Sequence, residues 1–277
     1  MTRFRFVRRV LLAGCWSVLA ATVFVQAQAT QKPPFKPESG QPGKDVVWVP
    51  TPQALVDKML DIAKLTPQDI LIDLGSGDGR TVITAAKRGA RAMGIEYNPD
   101  MVELAKENAA KEGVGDKATF MKADLFESDF SKATVVTMFL LPSINMKLRP
   151  KILDLKPGTR IVSNTFDMED WTADQTVQVS ENCESWCTAL LWIVPAKVGG
   201  TWRLSQGELA LTQSFQMISG TLTSGGASTP VSGKLQGDEI TFTAGAGQYT
   251  GRVNGMSMQG TLTGGNGGSW KATRAAQ

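Results

Sequence analysis

The sequence predicts an α/β protein, with a doubly wound, seven-stranded sheet followed by a small all-β meander. Between residues 70 and 163, short apolar runs alternate with helical segments, which is typical of a mainly parallel sheet covered on both faces. After Val198 the charged residues become fewer. Residues 199–277 hold 17 of the 28 glycines, placed between short alternating strands, which favours a barrel or half-barrel.

The composition excludes several kinds of chemistry. The chain has no histidine, which removes Ser-His-Asp triads, Cys-His dyads and histidine-based zinc sites, and we expect no metal. Its 29 basic and 26 acidic residues give a net charge of only +3. No basic run interleaved with aromatic residues follows the N-terminal segment, so no nucleic-acid partner is expected.

The N-terminal segment, residues 1–29, has the three parts of a secretory signal peptide: an arginine-rich start, an apolar stretch over residues 10–25 and alanines at 27 and 29 that form a cleavage site. Because the apolar stretch is short for a membrane span, we expect cleavage and a periplasmic or secreted protein. Residues 12–15 resemble a lipoprotein box, so a lipid-anchored or membrane-anchored form is the alternative. Residues 30–45 are rich in proline and predict an extended linker that carries no chemistry.

A first domain is expected over residues 46–197, beginning with an amphipathic helix at residues 53–65. Thr51 suits the N-cap of this helix and Pro52 its first position. The preceding Trp48 is predicted either to pack on the sheet edge or to cover a bound ligand.

A glycine-rich loop joins the first strand of this domain to its next helix. The apolar residues 71–74 run into alternating glycines at 75, 77 and 79, and a helix begins near Thr81. Glycine lets the backbone approach a ligand closely, and free N–H groups at a helix start favour a carboxylate or phosphate. The loop therefore predicts a nucleotide-type site.

Acidic residues follow the next two strands. Glu96 ends the second strand, 19 residues beyond Gly77, where doubly wound sheets hold a ribose. Asp124 follows the third strand. The remaining predicted elements are strands at residues 91–96, 118–122, 134–141 and 159–163, a helix over 98–111 and a helix ending near 155.

An antiparallel hairpin is predicted to complete the sheet, because residues 176–180 and 189–194 have strand patterns with no helix between them. Cys183 and Cys187 flank the tip of this hairpin. In an exported protein a disulfide is favoured, provided that the connection bends, and two buried thiols are the alternative.

The meander, residues 198–277, is expected to contain eight short strands and almost no helix. A glycine followed by a basic or hydroxyl residue and then an apolar one recurs at positions 220, 233, 251 and 260. The predicted strands cover residues 201–205, 208–213, 215–223, 230–236, 239–244, 248–254, 256–263 and 268–274.

The glycine loop fits neither of two common nucleotide sites. Arg80 occupies the third glycine position of the dinucleotide pattern, and the Gly-Lys-Ser/Thr of a Walker loop is absent. The loop resembles the first motif of the class I S-adenosylmethionine-dependent methyltransferases, of which Asp-Leu-Gly-Ser-Gly-Asp-Gly is a common form. This resemblance covers about residues 46–195. It implies a Rossmann-like fold and S-adenosyl-L-methionine as cofactor.

The same resemblance implies roles for individual residues. Residues 73–79 would wrap the methionine and ribose parts of the cofactor, and Glu96 would hold the ribose hydroxyls. Asp124 would meet the adenine amine, with a helix cap as its other interpretation. The implied cofactor-binding set is Thr51, Asp73, Gly75, Ser76, Gly77, Asp78, Glu96 and Asp124.

A narrower resemblance points to the small lysine N-methyltransferases that modify mitochondrial ATP synthase and the adenine nucleotide carrier, with their bacterial relatives. It implies a protein lysine as methyl acceptor, with a small molecule as the alternative. Lysine has an ordinary pKa of about 10.4 and must lose its proton, but no catalytic base is assigned. Thr51, Asp73, Tyr97 and residues 140–143 are the candidates near the site. The resemblance rests on residues 49–52, 73–80, 94–99 and 140–142.

Export conflicts with the use of a cytosolic cofactor, and this conflict leaves a second class of function open. The chain would then be an exported, non-catalytic binding protein that uses a methyltransferase fold. Its glycine-rich barrel would bind a carbohydrate, a lipid or the cell envelope. Trp202, Tyr249 and Trp270 would be the ligand-binding aromatics, unless they form the barrel core.

Overall fold

The computed structural model describes residues 1–2, 35–265 and 267–275. The predicted signal peptide therefore lies outside the described residues, apart from its first two. The described residues from Phe35 onward form one compact unit. Among the described helices, none combines the length and the apolar composition that crossing a membrane requires.

A seven-stranded sheet forms the first part of this unit, with strand order β3-β2-β1-β4-β5-β7-β6. The first five strands in that order run parallel, and β7 and β6 are antiparallel, as the predicted hairpin requires. The prediction of a doubly wound sheet is confirmed. Its strands are β1 (Ile70–Leu74), β2 (Arg91–Glu96), β3 (Ala118–Lys122), β4 (Val135–Met138), β5 (Arg160–Asn164), β6 (Gln175–Gln178) and β7 (Thr188–Ile193).

Four helices belong to this part of the described chain. The predicted start of the third helix is confirmed, because the Asn98 side chain accepts a hydrogen bond from the Asp100 N–H at 2.9 Å. The N-cap predicted at Thr51 is wrong: α1 begins one residue later, with Pro52 as its N-cap, and Thr51 is buried by tertiary contacts. The helices are α1 (Gln53–Ile62), α2 (Arg80–Lys87), α3 (Pro99–Lys111) and α4 (Pro142–Leu153).

Apolar layers cover both faces of the sheet. Successive residues of a strand point to opposite faces, so Leu71 packs in one layer with α1, α2 and α3. Its neighbour Ile72 packs in the other layer with α4, Trp171 and Trp192. The side chains at the strand ends are therefore held by a packed core on both sides.

The meander closes into a barrel of eight antiparallel strands, in which β9 pairs with both β8 and β10. All eight predicted strands are present. Because the sheet closes on itself, the predicted barrel is confirmed and the half-barrel is wrong. The strands are β8 (Gly200–Leu204), β9 (Gly207–Ser214), β10 (Met217–Ser224), β11 (Ala227–Gln236), β12 (Glu239–Ala244), β13 (Gly247–Asn254), β14 (Ser257–Thr263) and β15 (Gly268–Arg274).

The glycine repeat of the barrel marks points where neighbouring strands approach closely. A Cβ added to Gly220 would lie 1.9 Å from the Ala210 carbonyl oxygen, and one added to Gly260 would lie 1.8 Å from that of Thr250. No side chain fits at such distances, so glycine permits the close strand contacts of this small barrel.

The barrel aromatics form its core. Trp202, Tyr249 and Trp270 are 0%, 6% and 4% exposed. The Tyr249 ring stacks on Phe242 at 4.5 Å between centroids, and Trp270 meets both rings edge-on. These three residues therefore pack in the barrel core and do not form the ligand-binding surface that was their other predicted role.

Candidate active site

One open cleft lies at the carboxyl ends of β1, β2, β3 and β4. From β1 the chain adds β2 and β3 on one side of the sheet and then crosses to add β4 and β5 on the other side. Ligands bind at this switch point in doubly wound sheets. All eight residues predicted to bind the cofactor line this cleft. They are Thr51, Asp73, Gly75, Ser76, Gly77, Asp78, Glu96 and Asp124.

The glycine loop adopts a backbone that other residues rarely take. Gly75, Gly77 and Gly79 have φ values of +77°, +53° and +83°. A Cβ on Gly77 would lie 2.4 Å from the indole Nε1 of Trp48, and one on Gly79 would lie 2.7 Å from the Phe120 ring. The loop thus needs glycine both for its conformation and for its close contacts.

Replacing Gly79 with alanine is expected to lower the free energy of unfolding by about 2–4 kcal/mol, because backbone strain and overpacking against Phe120 add together. Gly113→Ala is a matched control: Gly113 also has a positive φ, of +69°, but nothing lies within 4 Å of the added Cβ. Strain alone should cost about 1 kcal/mol there. Urea unfolding measures both, and equal losses would contradict the packing role of Gly79.

Asp73 is a buried carboxylate at the end of β1. Its register partner on β4 is Thr137, whose hydroxyl donates a 2.6 Å hydrogen bond to Asp73 Oδ1. Burial, aided by the charges of Glu96 and Asp78, raises the pKa of Asp73 to about 7, although the Thr137 hydrogen bond acts to lower it. No basic side chain pairs with Asp73 in the part of the chain that the structure describes.

Glu96 connects the end of β2 to the glycine loop. Its Oε2 accepts a hydrogen bond from the Gly77 N–H at 2.9 Å, and its Oε1 accepts one from the Asn98 N–H at 2.9 Å. These two bonds fix the carboxylate at the cleft wall. Each oxygen keeps a second lone pair that can accept from a ligand.

Asp124 forms an ion pair with Lys44 and accepts a 2.9 Å hydrogen bond from the Phe126 N–H. The Lys44 hydrogen bond, followed by that of Phe126, holds the pKa of Asp124 below its usual value. Asp124 thus lines the cleft and accepts from the turn after β3; the alternative prediction of a helix cap is wrong, because residues 125–127 form a turn and no helix begins there. The structure further shows that residues 41–45, predicted as a linker without chemistry, form part of the cleft wall.

Arg80, which the sequence analysis does not assign to the site, connects the glycine loop to the segment before α1. Its guanidinium pairs with the Asp78 carboxylate and donates to the Thr51 carbonyl at 2.9 Å. The Thr51 hydroxyl accepts a 3.3 Å hydrogen bond from Asn164. Thr51 and Asp78 thus have structural partners, while the buried Ser76 hydroxyl has none among the described residues and packs against Gly94.

Trp48 and the loop before it form the outer wall of the cleft. The Gly40 N–H donates to the Trp48 carbonyl at 2.7 Å, and the Trp48 N–H donates to the Gln41 carbonyl at 2.9 Å. These bonds bring Lys44 beside the Tyr97 ring, at 5.0 Å from its centroid. Trp48 is half-buried in the cleft wall, where its indole covers the glycine loop.

The known proteins that are similar to this chain are methyltransferases. Residues 73–175 match the model of the ANTKMT methyltransferase domain. A protein-lysine N-methyltransferase of Saccharolobus islandicus is 46% identical over 139 residues, which cover 49% of this chain and 86% of that protein. The rat lysine N-methyltransferase of the ATP synthase c subunit is 39% identical over 38% of this chain, but the chain spans only half of that protein.

A solved structure agrees with this family. The Salinibacter ruber RNA methyltransferase, in complex with S-adenosyl-L-homocysteine, is 49% identical with a TM-score of 0.51. The match covers 54% of this chain and 96% of that one. Together with the glycine loop and the acidic strand ends, these similarities show that the chain belongs to the S-adenosylmethionine-dependent methyltransferases, in the family of the Saccharolobus protein-lysine N-methyltransferase.

Proposed function

We propose that the cleft binds S-adenosylmethionine through the residues predicted from the sequence and transfers its methyl group to a protein lysine. The observation that carries the proposal is the convergence of Asp73, Glu96 and Asp124 on one cleft, from the carboxyl ends of three neighbouring strands. S-adenosylmethionine supplies a sulfonium methyl group when it is bound. The chain supplies binding, orientation and exclusion of water.

The residues of the cleft fit this cofactor. The glycine loop offers a backbone that a ligand can approach closely, and Asp73 presents a buried carboxylate without a basic partner among the described residues. A cationic ligand group would supply that missing charge. Glu96 retains acceptor capacity for hydroxyl groups, and Asp124 would accept from an amine.

The proposed acceptor is a lysine amine. The cleft wall after β4 is formed by Phe139, Leu140 and Ile144. Such apolar surroundings favour the neutral form of an amine, which is the nucleophilic form. Relatives differ in their acceptors, since the Saccharolobus protein is a protein-lysine methyltransferase whereas the Salinibacter protein is an RNA methyltransferase. The first is preferred here because the balanced net charge of +3 offers little attraction to RNA.

We further propose that residues 1–29 direct export and that residues 46–197 form the catalytic domain. An exported enzyme would need S-adenosylmethionine outside the cytosol. Fractionation of the source cells, with an antibody against the barrel, tests the compartment. Finding the protein only in the cytosol would contradict the proposed export.

Radiolabelled methyl transfer into an extract of the source cells tests the acceptor. We expect protease-sensitive label on protein, and with unlabelled cofactor a lysine mass increase of about 14, 28 or 42 Da per side chain, because each methyl group replaces one hydrogen. Label that survives protease but is removed by ribonuclease would contradict a lysine acceptor. The Glu96→Ala variant serves as the control that lacks the proposed ribose contact.

A further inference from the structure

Three aromatic rings continue the cleft wall towards solvent. Phe139 follows β4 and lines the cleft. Its ring stacks on Phe166 at 5.9 Å between centroids, and Trp186 lies 6.0 Å from Phe139 and 5.3 Å from Phe166. Trp186 is 42% exposed, so this aromatic cluster, formed by Phe139, Phe166 and Trp186, is open to an incoming side chain.

Two constrained loops bring the outer rings of the cluster together. Thr165, immediately before Phe166, has a φ of +60°, and Trp186 has a φ of +58°. Residues other than glycine adopt this region only when their surroundings hold them there. The loop of Trp186 is closed by the Cys183–Cys187 disulfide and by the hydrogen bond from the Val179 N–H to the Cys187 carbonyl at 2.8 Å.

The surroundings of the aromatic cluster are acidic. Residues 165–170 and 180–187, which carry Phe166 and Trp186, contain five acidic residues and no basic one. Of these, Asp170 pairs with Arg149, while the other four are exposed and are called the acidic rim. A negative rim attracts a basic protein segment and repels the phosphates of RNA. The exposed members of this rim are Asp167, Glu169, Glu181 and Glu184.

We propose that the aromatic cluster is the acceptor-docking site, which receives the aliphatic stem and ammonium group of a lysine from a basic protein segment. The rings would contact the stem and attract the cation through their π faces, and the acidic rim would orient the flanking basic residues. The proposal rests on the proposed lysine transfer and adds the residues that select its acceptor. The disulfide acts as a positioning element because it holds the loop of Trp186.

Binding of decalysine to the full chain, saturated with S-adenosylhomocysteine, tests this site. Tryptophan is replaced biosynthetically by 5-fluorotryptophan, and the fluorine resonance of Trp186 is assigned from its absence in Trp186→Phe. We expect decalysine to shift this resonance. Calorimetry should show that Trp186→Ala weakens decalysine binding about tenfold, whereas Trp186→Phe keeps most of it.

Met256→Ala is the matched control, because Met256 is an apolar barrel residue that is 61% exposed. It should leave decalysine binding unchanged, and all three variants should bind S-adenosylhomocysteine as the wild type does. Equal decalysine affinity in wild type and Trp186→Ala would overturn the proposal. A Trp186 shift caused by oligouridylate but not by decalysine would also overturn it, and would assign the cluster to RNA.

The experiments distinguish a failure of the proposed lysine transfer from a failure of the proposed docking site. If decalysine binds at Trp186 but receives no methyl group from S-adenosylmethionine, and cell proteins likewise remain unlabelled, lysine transfer is contradicted while the docking site stands. If methyl transfer to protein lysine has the same KM in wild type and Trp186→Ala, the enzyme stands and the docking site is overturned.

Discussion

Glu96→Ala is expected to weaken the binding of S-adenosylhomocysteine by at least about a hundredfold. The carboxylate would accept two hydroxyl hydrogen bonds from the ligand, and charge-assisted bonds of this kind each contribute about 1.5–3 kcal/mol. The substitution also removes the acceptors of the Gly77 and Asn98 N–H groups, so the glycine loop loses one of its contacts with β2. Isothermal titration calorimetry measures the change.

Two further variants make this result specific. Glu96→Gln keeps one carbonyl oxygen and should fall between wild type and alanine. Glu103→Ala removes an exposed carboxylate from α3, where Glu103 pairs with Lys106 outside the cleft, and should bind as the wild type does. If Glu96→Ala keeps an affinity within about threefold of wild type, then Glu96 does not hold the ligand.

The sequence was sufficient for the parts of the site that depend on local pattern. The glycine loop and Glu96 are separated by a single strand–helix–strand unit, so their spacing along the chain determines their approach in space. Glycine at 75, 77 and 79 follows from the positive φ that the loop requires. These residues were predicted together, and the cleft brings them together.

The outer wall of the cleft could not be predicted in the same way. Lys44 and Asp124 are 80 residues apart, and the proline-rich composition around Lys44 is typical of a linker. Thr51 has the sequence signature of an N-cap, but Arg80 and Asn164 bind its carbonyl and hydroxyl groups instead. Tertiary hydrogen bonds therefore outweigh the local preference at the start of α1.

Barrel closure is likewise a non-local property. Alternation and glycine turns identify each strand, but the pairing of β15 with β8 joins the two ends of the barrel segment, as in the register of Ala272 with Leu204. A Cβ at Gly220 or Gly260 would overlap a carbonyl oxygen of the neighbouring strand, which explains why the glycine repeat lies within strands rather than in turns. The glycine repeat can be recognised in the sequence, but the reason for it, the close approach of the neighbouring strand, is seen only in the structure.

Asp73→Asn is expected to stabilise the free protein at alkaline pH. The pKa of Asp73 is about 7 in the folded protein, against about 3.9 for an ordinary aspartate. Below about pH 4 the group is protonated in both states and costs nothing. Between about pH 4 and 7 the unfolded chain has lost the proton that the folded protein retains, so wild-type stability falls across this range and stays low above it.

The asparagine side chain stays neutral and can still accept from Thr137, so the variant should lack this loss. Its free energy of unfolding at about pH 8 should exceed that of wild type by about 2–4 kcal/mol, with little difference at about pH 4. Urea unfolding across this range gives the measurement. Asp116→Asn, which changes an exposed carboxylate, should follow the wild-type curve. Parallel curves for wild type and Asp73→Asn would exclude Asp73 as the titrating group.

Ligand binding should change in the opposite direction. The ammonium group of the ligand needs the ionised carboxylate, so wild-type affinity for S-adenosylhomocysteine should rise between about pH 6 and 8, with release of up to one proton. Asp73→Asn should bind about tenfold to a hundredfold more weakly at about pH 8 and show no such rise, because one lost charge-assisted contact costs about 1.5–3 kcal/mol. Calorimetry in buffers of different ionisation enthalpy counts the proton. A buried carboxylate that destabilises the free protein and strengthens ligand binding is the trade-off expected of a functional site.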